Sequence, residues 1–342
     1  MEAGDPEEHA KKLPAHKESG KCKCNFEGSS GAMEVEGALK MWNRSIQKHN
    51  LRYSFMVSDG DSKAFKAVSE SQCYGENFTI EKMDCVGHVQ KRMGKRLSNL
   101  KSITKGKLQD GKTIGGKGRL TDVTIKRIQR YYGLAIRQNT CKSANPSEEE
   151  RKLTVYQMKK NIMAILSHTV TRENPATQHS HCPTGPESWC AWQRDFASGT
   201  STYDPKHCLP AVFMDLLRPT FTEHSADNLL SRCVVGATQN QNESINSLVW
   251  LRCPKHKFNG SNIVRYAAAS AVIQFNGGSS MASRVMQTLG TPASSMAIEN
   301  FRKKDMERAK LAEKASDEKE RKKRTVMKQL CTAREEAYQE AE

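Results

Sequence analysis

Apolar positions recur at helical intervals through "AMEVEGALKMWNRSIQKHN", where Met33, Val35, Leu39, Trp42 and Ile46 predict an amphipathic helix from about 32 to 50. The next apolar run, "LRYSFMV", is short and closes on Ser58-Asp59-Gly60, the pattern of a strand running into a turn. "SKAFKAVSES" then reads as a short helix with Ser62 as its cap, and "NFTIEKMDC" alternates as a second strand. In "VGHVQKRMGKRLSNL" the helical period returns, with Val89, Met93 and Leu97 on one side and Lys91, Arg92, Lys95 and Arg96 on the other. The order helix, strand, acid, helix, strand, helix predicts an α/β fold.

After Leu100 the pattern changes. "KSITKGKLQDGKTIGGKGR" is rich in glycine and lysine, as in a mobile connection or a loop that grips a phosphate backbone. Helical periodicity resumes in "LTDVTIKRIQRYYGLAIRQN" and in "RKLTVYQMKKNIMAILSHTV", on either side of the polar break "CKSANPSEEE". From Glu299 the chain is almost wholly charged, with thirteen basic and ten acidic residues over 301–342, so a solvated single helix or disordered tail is expected there. The resulting division is a loose leader over 1–27, an α/β block over 28–100, and a mainly helical insertion over 101–232. A further block over 233–298 and the charged tail over 299–342 complete it.

No run of 18 apolar residues occurs, and the N-terminus is charged where a secretory signal would be apolar, so an intracellular protein without a membrane span is expected. Eleven cysteines, an odd number without an export signal, suit reduced thiols or metal ligands better than a disulfide framework. The net charge of +16 is concentrated. Between Val86 and Arg130 thirteen Lys or Arg face only Asp110 and Asp122, a net +11, the footprint of a polyanion partner. A solvated helix face is the competing explanation. Lys117 and Arg119 of the glycine-rich loop join Lys91, Arg92, Lys95 and Arg96 as candidate nucleic-acid contacts.

Two groups of cysteine and histidine carry ligand spacing. Cys85 and His88 form a Cys-x2-His pair at the turn from the second strand into the basic helix, and incidental burial explains the pair as well as ligation does. "HSHCPTGPESWC" holds His179 and Cys182 at x2 spacing and Cys190 beyond a Pro/Gly turn, with His168 or His181 as a fourth ligand. That set suits tetrahedral Zn2+, and the alternative is a core loop around Trp189 and Trp192. Among acids, Asp59 ends a strand with Asp61 close behind it. Glu243 opens a helix whose apolar face, Ile245, Leu248, Val249 and Trp250, is expected to be buried. Carboxylates from a strand end and a later helix can share a pair of Mg2+ ions.

In this order, "GSSGAMEVEGALKMWNRSIQKHNLRYSFMVSDGDSKAF", "DCVGHVQKRMGKRLSNLK", "GKGRLTDVTIKRIQRYYGLAIR", "HCPTGPESWCAWQ" and "TQNQNESINSLVW" resemble the Mutator-like transposase domain of animal mobile elements, from about Gly28 to about Gly290. The resemblance implies an RNase H-like DDE core, in which three acids hold two Mg2+ or Mn2+ ions for DNA cleavage and strand transfer at transposon ends, in the nucleus. By motif, Asp59 matches the second acid, with Asp61 as fallback, Glu243 the third, and Cys85 with His88 the Cys-x2-His after the second. The helical region from about 100 to 230 matches the insertion before the glutamate. The family's Asp-Gly-x-Trp motif on the first strand has no counterpart upstream of Met33, so an incomplete, 5′-truncated core and a catalytically incomplete chain are expected. Two readings stand: a transposase lacking its first ligand, and a non-catalytic DNA-binding derivative, either of them as a monomer or a homo-oligomer.

Overall fold

A computed structural model describes residues 26–59, 63–143, 145–186, 188–205, 208–257 and 259–317, together with 320, 323 and 327. Asp61 and Ser62 lie outside the described residues, so the fallback acid and the proposed helix cap have no structural account. The described chain is mostly helical with one two-stranded parallel sheet, which is compatible with an α/β class. Backbone contacts divide it into two compact units.

The first unit takes in the described residues up to Tyr53, then Lys63–Thr79 and Asn242–Met306. Its first helix, α1 (Ser30–Asn43), is capped by Ser29, whose Oγ accepts the Ala32 amide at 3.2 Å. The helix expected over 32–50 is broken at Arg44, and α2 (Ser45–His49) ends on Asn50 in the left-handed region (φ 53°). α1 packs against α3 (Lys63–Glu70) through Ala38, Trp42, Ala64 and Val68, all buried. The Tyr53 backbone is taken up by side chains: its carbonyl accepts Trp42 Nε1 at 3.2 Å and its amide donates to Tyr74 Oη at 3.0 Å. Pairing therefore starts only at Ser54, and the strand expected over "LRYSFMV" shortens from its front end.

The C-terminal helices α11 (Asn240–Arg252), α12 (Ser261–Gly277), α13 (Met281–Thr288) and α14 (Ser295–Ser316) bury only Ala267 and Ala271 fully. This corrects the expectation of a buried α11. Ile245, Leu248 and Val249 share one half-buried face, while Trp250 and Leu251 turn outward, Leu251 being 77% exposed. Asp305 caps α13 from α14, accepting the amides of Ser279 and Ser280 at 2.6 and 2.9 Å. Bonds from the Ser280 hydroxyl and these two amides pull the Asp305 carboxyl down to about 2.

The second unit takes in residues from Ser54, Ile80–Gln241 and the described residues from Glu307 on. β1 (Phe55–Ser58) and β2 (Glu81–Asp84) pair in parallel, with Phe55 opposite Glu81 and Ser58 opposite Asp84. α4 (Val86–Ile103) leaves β2 directly. Its Val89, Met93 and Leu97 enter one apolar core with Ile125, Ile128, Tyr132 and Ile136 of α5 (Asp122–Arg137). α6 (Glu148–Thr169) adds Met158, Ile162 and Ile165 to it, and α9 (Phe213–His224) adds Phe213, Leu217 and Phe221. α6 starts on a capping box: the Glu150 amide reaches Ser147 Oγ while the Ser147 amide reaches Glu150 Oε2. Between α6 and α9 lie α7 (Pro175–His179) and α8 (Ala191–Ser198), and α10 (Asp227–Leu230) follows α9. No helix among the described residues is long and apolar enough to cross a membrane.

Candidate metal centre and basic helix

His168 stands one residue before the C-terminal end of α6, and His179 is the last residue of α7, a single turn that Asn174 caps through the Ala176 amide and that Pro175 opens. A tight turn follows, in which the Cys182 amide donates to the His179 carbonyl at 3.0 Å. The chain reverses through Pro183 and Gly185 (φ 97°) and returns Cys190 as the N-cap of α8. Two glutamines lock the ligand-bearing backbones: Gln178 Nε2 donates to the His168 carbonyl at 3.0 Å, and Gln193 Nε2 to the His179 carbonyl at 2.8 Å.

The ligand atoms of His168, His179, Cys182 and Cys190 all lie within 4.8 Å of one another. The His168 and His179 Nδ1 atoms are 3.1 Å apart. Cys182 Sγ is 3.6 Å from His168 Nδ1 and 3.9 Å from His179 Nδ1, and Cys190 Sγ is 3.5 Å from His179 Nδ1. Zinc bonds of about 2.05 Å to nitrogen and about 2.3 Å to sulfur in a tetrahedron require edges of about 3.3 Å for N–N and about 3.6 Å for N–S. The quartet thus has the size of a closed structural zinc site. Of the two histidines left open by spacing, His168 lies within the group, and His181 is exposed and outside it.

The electrostatics suit a cation. A hydrogen bond from Cys182, followed by those from His168 and His179, pulls the Cys190 thiol well below its usual value, while Cys182 is pushed up by the same shared bond and by burial. A bound divalent ion would take both sulfurs as thiolates. Trp189 and Trp192 form part of the wall: Trp189 lies edge-on to His168 at 4.9 Å, and Trp192 stacks on His179 at 5.3 Å. His179 Nε2 is buried without a hydrogen-bond partner, so aromatic faces orient this ring in place of the usual outer acceptor.

Spacing did not disclose the supports around the quartet. Cys208 Sγ receives Gln178 Nε2 at 3.3 Å and contacts Tyr203 Oη at 3.4 Å, yet stays outside the ligand set. Asp195 ties the 199–203 segment to α8, accepting the Thr202 and Tyr203 amides and the hydroxyls of Thr200 and Thr202. Burial alone raises its pKa, but these bonds win and hold the Asp195 carboxyl at about 2.

The basic residues do not share one environment. Lys91, Lys95 and Arg96 are exposed on α4. Arg96 Nη2 pairs with Glu223 at 2.8 Å, and Arg92 Nη2 with the fully buried Asp84 at 3.1 Å. A cleft of about 360 Å3 is lined by Arg92, Lys95, Arg96, Asn99, Glu223 and His224 among others. Lys117 is exposed, whereas Arg119 is only 5% exposed, held by both Asp110 oxygens, with its guanidinium 4.9 Å over the Phe213 ring. The glycine-rich segment is accordingly a folded loop. The Leu108 amide bonds to the Lys112 carbonyl, and Ile114 and Leu120 are buried. Arg119 is the pin of that loop, so Arg119→Ala is expected to speed amide exchange at Leu108 and Leu120 with little change at Val89 or Met93, which hydrogen-exchange mass spectrometry checks.

Cys85 is buried, and its Sγ accepts the Gln239 amide at 3.4 Å; His88 is half-buried on the first turn of α4. Asp59 is exposed immediately after β1, and Glu243 is exposed in the first turn of α11. The link into α11 is fastened to the strand ends: Gln239 Nε2 donates to the Val57 carbonyl at 3.0 Å and the Val86 amide to the Ala237 carbonyl at 3.0 Å. Among the described residues, the His/Cys quartet is the one group of three or more metal-ligating side chains within reach of one another.

A helical protein with a zinc-sized His2Cys2 centre and a basic helix behind a parallel strand pair is the class these features define. The family model of the Mutator-like transposases matches residues 4–190, more than half of the chain, and the protein belongs to that family. No curated protein and no solved structure matches it.

Proposed function

We propose that the chain is a DNA-binding member of the Mutator-like transposases that holds duplex DNA on the outer side of α4 and does not cut it alone. One observation carries the reading: α4 seals Val89, Met93 and Leu97 completely while exposing Lys91, Lys95 and Arg96, so its charge faces outward from a fixed support. Counterion release at such a face gives affinity without sequence choice. Zn2+ is the ion the His2Cys2 quartet fits, as a structural element. The nucleus is the compartment this reading implies.

Strand cleavage and transfer is the second reading. It rests on Asp59 and Glu243 as carboxylates for Mg2+ or Mn2+, and the match to the Mutator-like transposase family favours it. Two-metal cleavage needs a bridging set of acids, and the described residues offer no third acid grouped with either carboxylate.

Both readings meet in one experiment with supercoiled plasmid and short duplexes. Binding should weaken steeply with salt, and Lys91→Ala with Lys95→Ala should lower the slope of log K against log salt by about 2. With Mn2+ present the plasmid should stay supercoiled. Nicking that Asp59→Ala abolishes would establish the cleavage reading; salt-insensitive or absent binding would refute the DNA face.

A further inference from the structure

Phe196, on the last turn of α8, is 76% exposed, although one of its faces is covered. Four residues earlier on the same helix, Trp192 lies beneath it with centroids 5.5 Å apart and an interplanar angle of 11°. Trp192 in turn stacks on His179 at 5.3 Å and 17°. Three rings therefore form a near-parallel ladder whose inner rung, His179, is fully buried and fixed through its backbone by Gln193. The outer rung presents a flat π surface to solvent, and its own support keeps it from folding down.

The surroundings exclude an apolar dock. Residues 197–201, Ala-Ser-Gly-Thr-Ser, are exposed and small or polar, so the ring stands alone instead of belonging to a hydrophobic patch. Arg194, also exposed on this helix, donates from Nη1 to the Ser188 carbonyl at 2.7 Å, and the chain as a whole carries net +16. A planar group attached to a negative backbone fits this combination: the base stacks on the ring while the net positive charge of the chain attracts its phosphates.

We propose that the Phe196–Trp192–His179 ladder is a stacking platform for an unpaired nucleobase, giving the protein a single-stranded DNA site separate from the duplex face on α4. The inference rests on the DNA-binding reading above and adds a distinct ligand class to it. A base inside a duplex hides its faces in the stack, so the platform acts on frayed ends, flaps or extruded bases.

The test compares a dT12 strand, an abasic strand with the same number of phosphates and a 12-base-pair duplex, each titrated against the full chain at one low salt concentration. Wild type is expected to bind dT12 about tenfold more tightly than the abasic strand, the scale of one base on one aromatic ring. Phe196→Ala should erase that difference and leave duplex affinity unchanged; Phe196→Trp should keep it. Phe196→Leu, which preserves apolar contact without a π face, should behave as Phe196→Ala. Equal discrimination by wild type and Phe196→Leu would overturn the platform. Persistence of the difference in Phe196→Ala would overturn it too, with duplex binding left intact. Absence of binding to all three ligands would overturn the platform together with the DNA-binding reading.

Discussion

Protein purified under reducing conditions should contain about one zinc per chain, and Cys182→Ser or His168→Ala should lose it. Zinc bound by a site that exists only in the folded chain contributes directly to folding, by about 10–16 kcal/mol in small zinc modules. The quartet here joins α6, α7 and the start of α8 and abuts a large apolar core, so only part of that energy is at stake. Even a loss of about 4 kcal/mol is a large share of a domain's 5–15 kcal/mol. It should lower the melting temperature by roughly 10 °C in a unit of this size. Two controls give the claim its edge. His181→Ala should keep the metal, because that ring is exposed, and Cys208→Ser should keep it, because its sulfur serves Gln178 and Tyr203. Metal analysis that finds no zinc, or finds it unaffected by Cys182→Ser, would return these residues to an ordinary aromatic core.

How far the sequence discloses this centre depends on the ligand. His179, Cys182 and Cys190 are separated by turn residues, Pro183, Gly185 and Pro186, and turns are local chemistry that a sequence displays. The choice between His168 and His181 is not local: it depends on α6 ending where its last turn faces the reversal, which only tertiary packing decides. The same division runs through the basic segment. Val89, Met93 and Leu97 announce the sealed side of α4 by their period, but nothing in a period distinguishes an arginine facing water from one facing a carboxylate. Arg92 and Arg96 turn to Asp84 and Glu223, acids outside the counted segment, so a count of +11 overstates the charge offered outward. Strand lengths fail for a related reason. Tyr53 belongs by composition to a strand, yet Trp42 and Tyr74 claim its backbone.

Asp84 is the residue whose importance the sequence concealed most, and Arg92→Ala is expected to show it. Asp84 is fully buried at the end of β2. Its Oδ2 faces Arg92 Nη2 at 3.1 Å and Arg232 Nε at 3.3 Å, while Oδ1 has no hydrogen-bond partner. Removing one member of a buried ion pair strands the other charge, at a cost of about 3–5 kcal/mol. The low end applies here, because Arg232 remains and the Arg92 side chain is 40% exposed, so about 3 kcal/mol is expected in urea unfolding. Lys91→Ala and Lys95→Ala should each change stability by less than about 0.5 kcal/mol, as exposed substitutions do. Arg92→Ala combined with Asp84→Asn should recover part of the stability lost in Arg92→Ala, since the neutral amide leaves no buried carboxylate short of a partner and Arg232, 31% exposed, keeps access to water. The contrast separates two roles on one helix: Arg92 pairs with a carboxylate at the end of β2, and its lysine neighbours provide the outward charge. Should Arg92→Ala prove as stable as Lys91→Ala, with a reduced salt slope for DNA, Arg92 would belong with the outward face and Asp84 would be sustained by Arg232 alone.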